Sequence, residues 1–247
     1  MALFEATHLQ KRFGEQVVLE DITLSFEAGQ LSGIMGPNGA GKSTCFNVLT
    51  GQYKPDNGRV IFDGQDITGK SARVIAGLGI SRSFQIMNLF DEFTAIENIL
   101  IALPDSINRS FNPVHDIQGN VSAMEKAADV LNKVGLSGRE FTQASSLPYG
   151  ERRALEIGVA LASNPRLLFL DEPTQGLGAD GTARLSELIN ELKKTYSIVV
   201  IEHDMDFLFG LADKISVIHW GQVIATGTPD QLRENEWVMA STLGEIA

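Results

Sequence analysis

Residues 36–44 combine glycines, a lysine and two hydroxyl side chains in a spacing that suits phosphate binding. The segment, hereafter the phosphate loop, is Gly36-Pro37-Asn38-Gly39-Ala40-Gly41-Lys42-Ser43-Thr44, with an apolar stretch before it and a helical pattern after it. Glycines let a backbone curl tightly around a ligand, and successive N–H groups at a helix N-terminus attract anions. In this context the pattern G-x-x-x-x-G-K-[ST] predicts a site for nucleotide phosphates, with Lys42 on the β- and γ-phosphates and Ser43 on Mg²⁺.

Two adjacent carboxylates follow a short apolar stretch later in the chain. Residues 167–170 are all apolar and predict a buried strand, and Asp171 and Glu172 come directly after it. An acid at such a strand end is the usual metal-binding group of proteins with this kind of loop. Because successive strand side chains point in opposite directions, we expect Asp171 to bind Mg²⁺ and Glu172 to orient or deprotonate a water.

One histidine stands out by its position. His203 follows a predicted strand over residues 197–201, and we expect it to be the only one of the four histidines at the carboxyl end of a strand. Ligands of α/β proteins bind at such ends, which favours a functional role. Arg152 and Arg153 are instead interpreted as a solvated helix face, with contact to nucleotide or a partner as the alternative.

The elements that must position these residues alternate between strands and helices. Continuous apolar strands separated by helices predict an α/β fold with a mostly parallel core sheet. The N-terminal strands indicate an antiparallel part, and the helical middle third indicates an inserted subdomain. The predicted strands are 3–9, 16–26, 31–35, 59–62, 167–170, 197–201, 215–218 and 223–225; the predicted helices are 45–49, 94–102, 121–134, 151–162 and 180–194.

Composition argues against several classes of protein. The 247 residues include 20 Lys and Arg against 31 Asp and Glu, a net charge of −11, which argues against a protein that lives on nucleic acid. The single cysteine excludes a disulfide scaffold and a cysteine-based zinc site. Neither a secretory signal nor an apolar run of the roughly 18–20 residues that span a bilayer is present, so we expect a soluble protein that serves a membrane only through a partner.

The phosphate loop, Asp171-Glu172-Pro173-Thr174 and His203 together resemble the ATP-binding subunit of ABC transporters, and the resemblance covers nearly the whole chain. It implies a P-loop NTPase fold of the ABC ATPase type, with ATP and Mg²⁺ as cofactors. It also implies a single ABC domain over residues 1–247, in which 1–87 and 163–247 form the ATP-binding core and 88–162 the helical subdomain.

The resemblance assigns further residues. Phe13 lies where the family stacks an aromatic ring on adenine, and Gln85 matches a glutamine that contacts ATP and joins Ser43 and Asp171 at Mg²⁺. Glu172 and His203 match the catalytic pair. A signature segment, Leu147-Pro148-Tyr149-Gly150-Glu151, matches the stretch that binds the ATP of the opposite subunit.

Two signature positions depart from the family pattern. Pro148 stands where the general signature has serine and removes one N–H from the anion site. Glu151 stands where it has glutamine. A third departure, Gly178, lies in the loop 176–180, which matches a segment that contacts the opposite subunit.

The match is closest to importers of branched-chain amino acids, urea or short amides, through Arg82-Ser83-Phe84-Gln85, the Tyr-Gly signature and Glu202-His203-Asp204-Met205. Such a subunit implies membrane-spanning permease partners, a second ATP-binding subunit (identical or a sister chain), indirectly an external solute-binding protein, and a peripheral place on the cytoplasmic side of the inner membrane. The alternatives are an ATPase of a lipid or polysaccharide exporter and a nucleic-acid-associated ATPase. The net charge of −11 and the lack of sustained heptad repeats argue against the nucleic-acid-associated ATPase.

Overall fold

The computed structural model describes residues 2–83, 88–104 and 121–238. The described residues contain one ten-stranded sheet in the order β5-β4-β1-β2-β10-β9-β3-β8-β7-β6. Its strands are β1 (Ala2–Phe13), β2 (Gln16–Glu27), β3 (Leu31–Met35), β4 (Asn57–Phe62), β5 (Gln65–Asp66), β6 (Ile80–Arg82), β7 (Leu167–Asp171), β8 (Ser197–Glu202), β9 (Lys214–His219) and β10 (Gln222–Gly227).

The core of the sheet is parallel. Strands β9, β3, β8, β7 and β6 are parallel neighbours, and β3, β7 and β8 are buried along their whole length, as expected for strands covered on both faces. Carboxyl ends of parallel strands meet at one edge of a sheet. The segments that follow Met35, Asp171 and Glu202 are therefore brought together there.

The N-terminal part of the sheet is antiparallel and consists of β1, β2, β4 and β5. It meets the parallel core where β2 lies beside β10, and these two strands pair at one position, Gln222 with Asp21. Two main-chain hydrogen bonds support this junction, from the N–H groups of Glu20 and Asp21 to the carbonyl oxygen of Gly221 at 2.9 and 3.3 Å.

The described residues also contain the helices α1 (Lys42–Leu49), α2 (Ala72–Gly77), α3 (Ala95–Ala102), α4 (Val121–Lys133), α5 (Tyr149–Leu161), α6 (Ala179–Leu192), α7 (Met205–Leu211) and α8 (Pro229–Arg233). Helices α3, α4 and α5 lie between β6 and β7 in the chain and pack against one another. Helix α3 begins with a capping box, in which the Glu97 carboxylate accepts from Thr94 N at 2.8 Å. In the described residues, no helix has the length and apolar character needed to cross a bilayer.

Two apolar clusters cover the two faces of the sheet. One joins Leu31 and Met35 of β3 to the inserted helices. The other lies between the N-terminal strands and α1, and it contains Ile34 of the same strand and Phe169. The ring of Phe4 meets that of Phe169 edge-on at 5.6 Å between centroids, a favoured aromatic geometry. The strand that precedes the phosphate loop is therefore held on both faces.

The predicted α/β class, with its antiparallel N-terminal part and helical insertion, is confirmed. The element boundaries differ in two instructive places. Helix α5 begins at Tyr149, two residues before the predicted start, and β1 continues to Phe13 because Phe13 pairs with Gln16 in the hairpin. No prediction was made for β5, β6, α2, α7 and α8. Residues 105–120 lie outside the described residues.

Candidate functional site

The phosphate loop connects β3 to α1 and is pressed against two neighbouring strands. A Cβ atom on Gly36 would lie 2.1 Å from the carbonyl oxygen of Ile218, so only glycine fits there. Gly41 caps α1 with a φ of +101°. From outside, the N–H of Gly221 donates to the carbonyl oxygen of Ala40 at 3.1 Å. Close backbone contacts therefore fix the shape of the loop before any ligand arrives.

Within the loop, Lys42 is buried whereas Asn38, Gly39 and Ser43 are exposed. The ammonium group of Lys42 donates to the carbonyl oxygens of Gly36 (2.8 Å) and Pro37 (3.0 Å). Burial lowers the pKa of Lys42, and the nearby carboxylates of Glu172, Asp171 and Glu202 oppose that shift. The predicted phosphate-binding lysine thus lies within electrostatic reach of the predicted catalytic acids.

Asp171 is the last residue of β7, and its side chain is buried. Burial raises the pKa of Asp171 to about 6; the carboxylates of Glu172 and Glu202 act in the same direction, and Arg82 and Lys42 oppose them. Its Oδ1 has no hydrogen-bond partner in the part of the chain that the structure describes. A buried carboxylate oxygen with an open coordination position suits a hard cation such as Mg²⁺.

Glu172 corrects the prediction from strand alternation. It lies just after β7 with a φ of +43°, in the left-handed region that non-glycine residues seldom adopt. Its N–H donates to the carbonyl oxygen of Ile201 at 2.8 Å, which ties it to β8. The direction of its side chain is therefore set by this turned backbone rather than by the alternation of a strand.

His203 follows β8 and lies beside two carboxylates. Its Nδ1 is 3.6 Å from Oε1 of Glu172 and 3.6 Å from Oε2 of Glu202, beyond hydrogen-bond distance, and its side chain is half exposed. Glu202 is fully buried; its carboxylate accepts from Thr174 N (2.9 Å), Thr174 Oγ1 (2.5 Å) and His203 N (3.1 Å). Glu202 thus joins the segments after β7 and β8, a role that the sequence did not indicate.

The expectation that His203 alone among the histidines ends a strand is wrong. His219 is the last residue of β9, which runs parallel to β3, but its side chain is buried and its ring lies 3.8 Å from that of Trp220. His203 is therefore distinguished from His219 by its exposure and not by its place in the sheet.

Phe13 and Gln85 are the two other predicted ATP contacts. Phe13 ends β1, is half exposed, and packs against Tyr53. Gln85 lies outside the described residues. The adenine-stacking role of Phe13 and the metal role of Gln85 remain predictions.

The signature segment forms the start of α5. Leu147 is buried, Pro148 is the cap residue, and Gly150 is exposed in the first turn. A proline at a helix start leaves no intrahelical bond unmade, which explains why Pro148 is accepted. Glu151 forms an ion pair with Arg139, with Nε and Oε2 3.1 Å apart.

The interpretation of Arg153 as solvated is wrong. Its side chain is 2% exposed and donates to the carbonyl oxygens of Glu172 and Pro173 and to the Glu156 carboxylate. Glu156, an acid three residues after it on the same helix face, was the available signal. Its neighbour Arg152 is partly buried and pairs with Asp91.

A groove of about 660 Å³ opens beside the signature segment. It lies between the end of α4, the start of α5 and the exposed face of α6. Its lining includes residues 148–151 and 176–178, which belong to the two segments that the family resemblance predicts to face an opposite subunit.

Residues 19–175 match the sequence family described as ABC transporter. The chain is 38% identical over 250 residues to the high-affinity branched-chain amino acid transport ATP-binding protein LivG of Escherichia coli K12, covering 98% of both chains. It is 39% identical over 251 residues to BraF of Pseudomonas aeruginosa, a protein of the same description, again with 98% of both covered. A probable LivG of Methanocaldococcus jannaschii is 34% identical, with 95% of this chain and 93% of the relative covered.

Solved structures of ATP-binding cassettes have the same fold as this chain. The fold matches the ADP conformation of MJ1267, an ATP-binding cassette of an ABC transporter, with a TM-score of 0.87, 32% identity and 99% of both chains covered. A nucleotide-free ATP-binding cassette from an ABC transporter matches with a TM-score of 0.81 and 33% identity, over 99% of this chain and 96% of the other.

Proposed function

The chain belongs to the ABC transporter family of ATP-binding proteins, and from this premise we propose that it hydrolyses ATP to power an importer of branched-chain amino acids. The relatives in two bacteria and an archaeon are described as ATP-binding proteins of branched-chain amino acid transport. Their similarity runs through nearly the whole chain. This supports an importer over the exporter and the nucleic-acid-associated alternatives, and branched-chain amino acids over urea or short amides.

One structural observation carries the proposal: the phosphate loop, Asp171, Glu172 and His203 lie together at the carboxyl edge of β3, β7 and β8. Three carboxylates there act on the buried Lys42, and the Glu172 carboxylate lies 3.6 Å from the imidazole of His203. A phosphate chain bound by the loop has its terminal group facing these acids. That arrangement suits phosphoryl transfer, which depends on positioning and charge stabilisation.

In this proposal, the nine residues of the phosphate loop hold the phosphates, and Phe13 stacks on adenine. Glu172 orients the attacking water and accepts its proton, and His203 holds the γ-phosphate. Ser43, Gln85 and Asp171 would hold Mg²⁺, which neutralises charge on the phosphate oxygens when bound; the open buried Oδ1 of Asp171 supports its place in this set.

We further propose that two ATP-binding subunits pair head to tail. The signature segment, Leu147 to Glu151, would then contact the ATP held by the phosphate loop of the other subunit. The exposed first turn of α5 supports this, because it presents N–H groups to solvent at the positive end of a 13-residue helix. The groove beside it contains both segments expected to face the second subunit.

The proposed assembly includes membrane-spanning permease subunits and, indirectly, an external solute-binding protein, with this chain on the cytoplasmic side of the inner membrane. Within the chain we propose an ATP-binding core of residues 1–87 and 163–247 and a helical subdomain of residues 88–162. The packing of α3, α4 and α5 against one another supports that division.

Glu172→Gln tests the hydrolytic mechanism. We expect the variant to bind Mg-ATP as the wild type does, to lose at least about 100-fold in the rate of phosphate release, and to form an ATP-dependent dimer on size-exclusion chromatography. Glu125→Gln, the same change on the exposed face of α4, is the matched control and should hydrolyse ATP normally. A Glu172→Gln variant with normal turnover would contradict this mechanism.

The cargo is tested with the assembled transporter. The chain is co-purified with its permease subunits and reconstituted in proteoliposomes with the solute-binding protein. We expect leucine, isoleucine and valine to stimulate phosphate release and urea to leave it at the basal rate. Stimulation by urea alone would contradict the proposed cargo but not the ATPase activity.

A further inference from the structure

Arg153 lies inside the protein although it belongs to the helix that begins with the signature segment. Its guanidinium donates from Nε to the carbonyl oxygen of Pro173 at 3.0 Å and from Nη2 to the carbonyl oxygen of Glu172 at 2.7 Å. Its Nη1 donates to Oε2 of Glu156 at 2.6 Å. Two of these acceptors are consecutive main-chain carbonyls of the loop that carries the proposed catalytic carboxylate.

Tyr149 reaches the same loop from the same side of α5. Residues four apart lie on one face of a helix, and Tyr149 precedes Arg153 by four positions. The hydroxyl of Tyr149 donates to the carbonyl oxygen of Gln175 at 3.0 Å. One face of α5 therefore holds the loop from Glu172 to Gln175 through three main-chain carbonyls.

The backbone of Glu172 needs such support. Its φ of +43° lies in a sparsely populated region, and such a conformation persists only when its surroundings fix it. On one side of the residue, its N–H is held by the carbonyl oxygen of Ile201 at 2.8 Å. On the other side, its own carbonyl oxygen is held by Arg153 at 2.7 Å. Ile201 and Arg153 thus hold the backbone of Glu172 from both sides.

Stability alone does not explain a buried arginine at this position. A buried ion pair is generally no more stabilising than an apolar pair of similar size. What the guanidinium adds is a planar fork of donors with fixed directions. Helix α5 lies in the insertion between β6 and β7, whereas Glu172 follows a strand of the core sheet, so the contact crosses between these two parts.

We propose that Arg153 is a positioning residue: it sets the orientation of Glu172 and links it to the position of the helix whose first turn carries the signature segment. This inference rests on the proposed function, in which Glu172 acts on the attacking water. The chemical step itself is left to Glu172, and Arg153 acts only through the backbone of Glu172 and Pro173.

The first test replaces the buried pair by leucines, in the double variant Arg153→Leu with Glu156→Leu, so that no unpaired charge is left inside. We expect kcat for Mg-ATP hydrolysis to fall by about 10- to 100-fold while KM stays within about 2-fold, because misplacing a reacting group lowers the chemical rate more than binding. Arg153→Lys keeps the charge but loses the planar fork of donors, and we expect a kcat between those of the wild type and the double variant.

If the double variant does not fold, the kcat of Arg153→Lys alone tests the proposal. Arg166→Leu, which breaks an exposed arginine–aspartate pair, is the control and should keep the wild-type kcat.

A second measurement separates positioning from general damage. In the Glu172→Gln background, adding Arg153→Lys should lower the residual rate by less than about 2-fold, because residues that act through one group are not additive. An equal loss in both backgrounds, or a wild-type kcat for the variants that fold, would overturn the inference. Absence of ATP hydrolysis by the wild-type chain would overturn the proposed function and this inference with it, whereas active wild type with unaffected variants would overturn only the role of Arg153.

Discussion

The ring of Phe13 meets the ring of Tyr53 edge-on, with centroids 5.3 Å apart and planes at 76°. Tyr53 follows α1, and its N–H donates to the carbonyl oxygen of Asn47 in that helix at 3.0 Å. An exposed aromatic ring at the tip of the first hairpin is therefore fixed relative to the helix that begins at the phosphate loop. This placement suits a flat base attached to bound phosphates.

Phe13→Leu should weaken ATP binding but leave inorganic tripolyphosphate binding unchanged. An aromatic stacking contact contributes about 0.5–1.5 kcal/mol, which corresponds to a rise of about 2- to 13-fold in the Kd for ATP. Titration calorimetry with both ligands measures the difference. Phe141→Leu, the same change at a highly exposed phenylalanine, is the control. An equal loss for both ligands would show that Phe13 supports the loop and not the base.

Gly36→Ala should destabilise the protein by at least about 2 kcal/mol, since the new methyl group would collide with the carbonyl oxygen of Ile218. Urea unfolding measures this change. Gly77→Ala is the matched control: it lies at the end of α2 with open space around it, and alanine there should be neutral or stabilise by up to about 1 kcal/mol. Equal effects of the two substitutions would contradict the close approach of the loop to β9.

His203→Ala should lower kcat for ATP hydrolysis by about 10- to 100-fold and change the Kd for Mg-ATP by less than about 3-fold, because the lost contact is strongest in the transition state. Steady-state phosphate release and nucleotide titration measure the two values. His8→Ala removes an exposed histidine that lies 3.0 Å from Asp21, and it should leave kcat unchanged. Loss of affinity without loss of kcat would indicate ground-state binding only.

Cys45 should resist thiol reagents in the folded protein. It is fully buried, and burial raises the pKa of its thiol to about 12, so the reactive thiolate is scarce at pH 8. Reaction with a chromogenic disulfide should be at least about 100-fold slower in buffer than in denaturant, and it should accelerate as the pH rises, because the thiolate fraction grows toward that pKa. Rapid native labelling of one thiol per chain would contradict the burial of α1 against the sheet.

The sequence was sufficient to predict the structure of segments whose conformation is determined by residues near them in the chain. The phosphate loop, the strand before it and the helix after it were predicted together because glycine spacing and apolar patterning are local signals. The same holds for α3, whose Thr94 and Glu97 form the capping box within one turn. Asp171 and His203 were placed at strand ends for the same reason.

Contacts between distant segments were beyond prediction. Arg153 was expected to be solvated because its two carbonyl acceptors come from a loop some 20 residues further along. The left-handed backbone of Glu172 depends on Ile201 in the neighbouring strand, and no residue type signals it. The predicted strand 215–218 ended one residue before His219, and its residue type does not signal that the His219 side chain is buried.

The junction between the two parts of the sheet has one further consequence. Gly221 accepts from Glu20 and Asp21 on the antiparallel side and donates to Ala40 in the phosphate loop, beside the single paired position of β2 and β10. Main-chain hydrogen bonds of one residue, Gly221, thus join β2 and the phosphate loop to the turn between β9 and β10. A substitution that displaced Gly221 would loosen both the junction between β2 and β10 and the phosphate loop. The stability of the sheet and the shape of the nucleotide site therefore depend on the same residue.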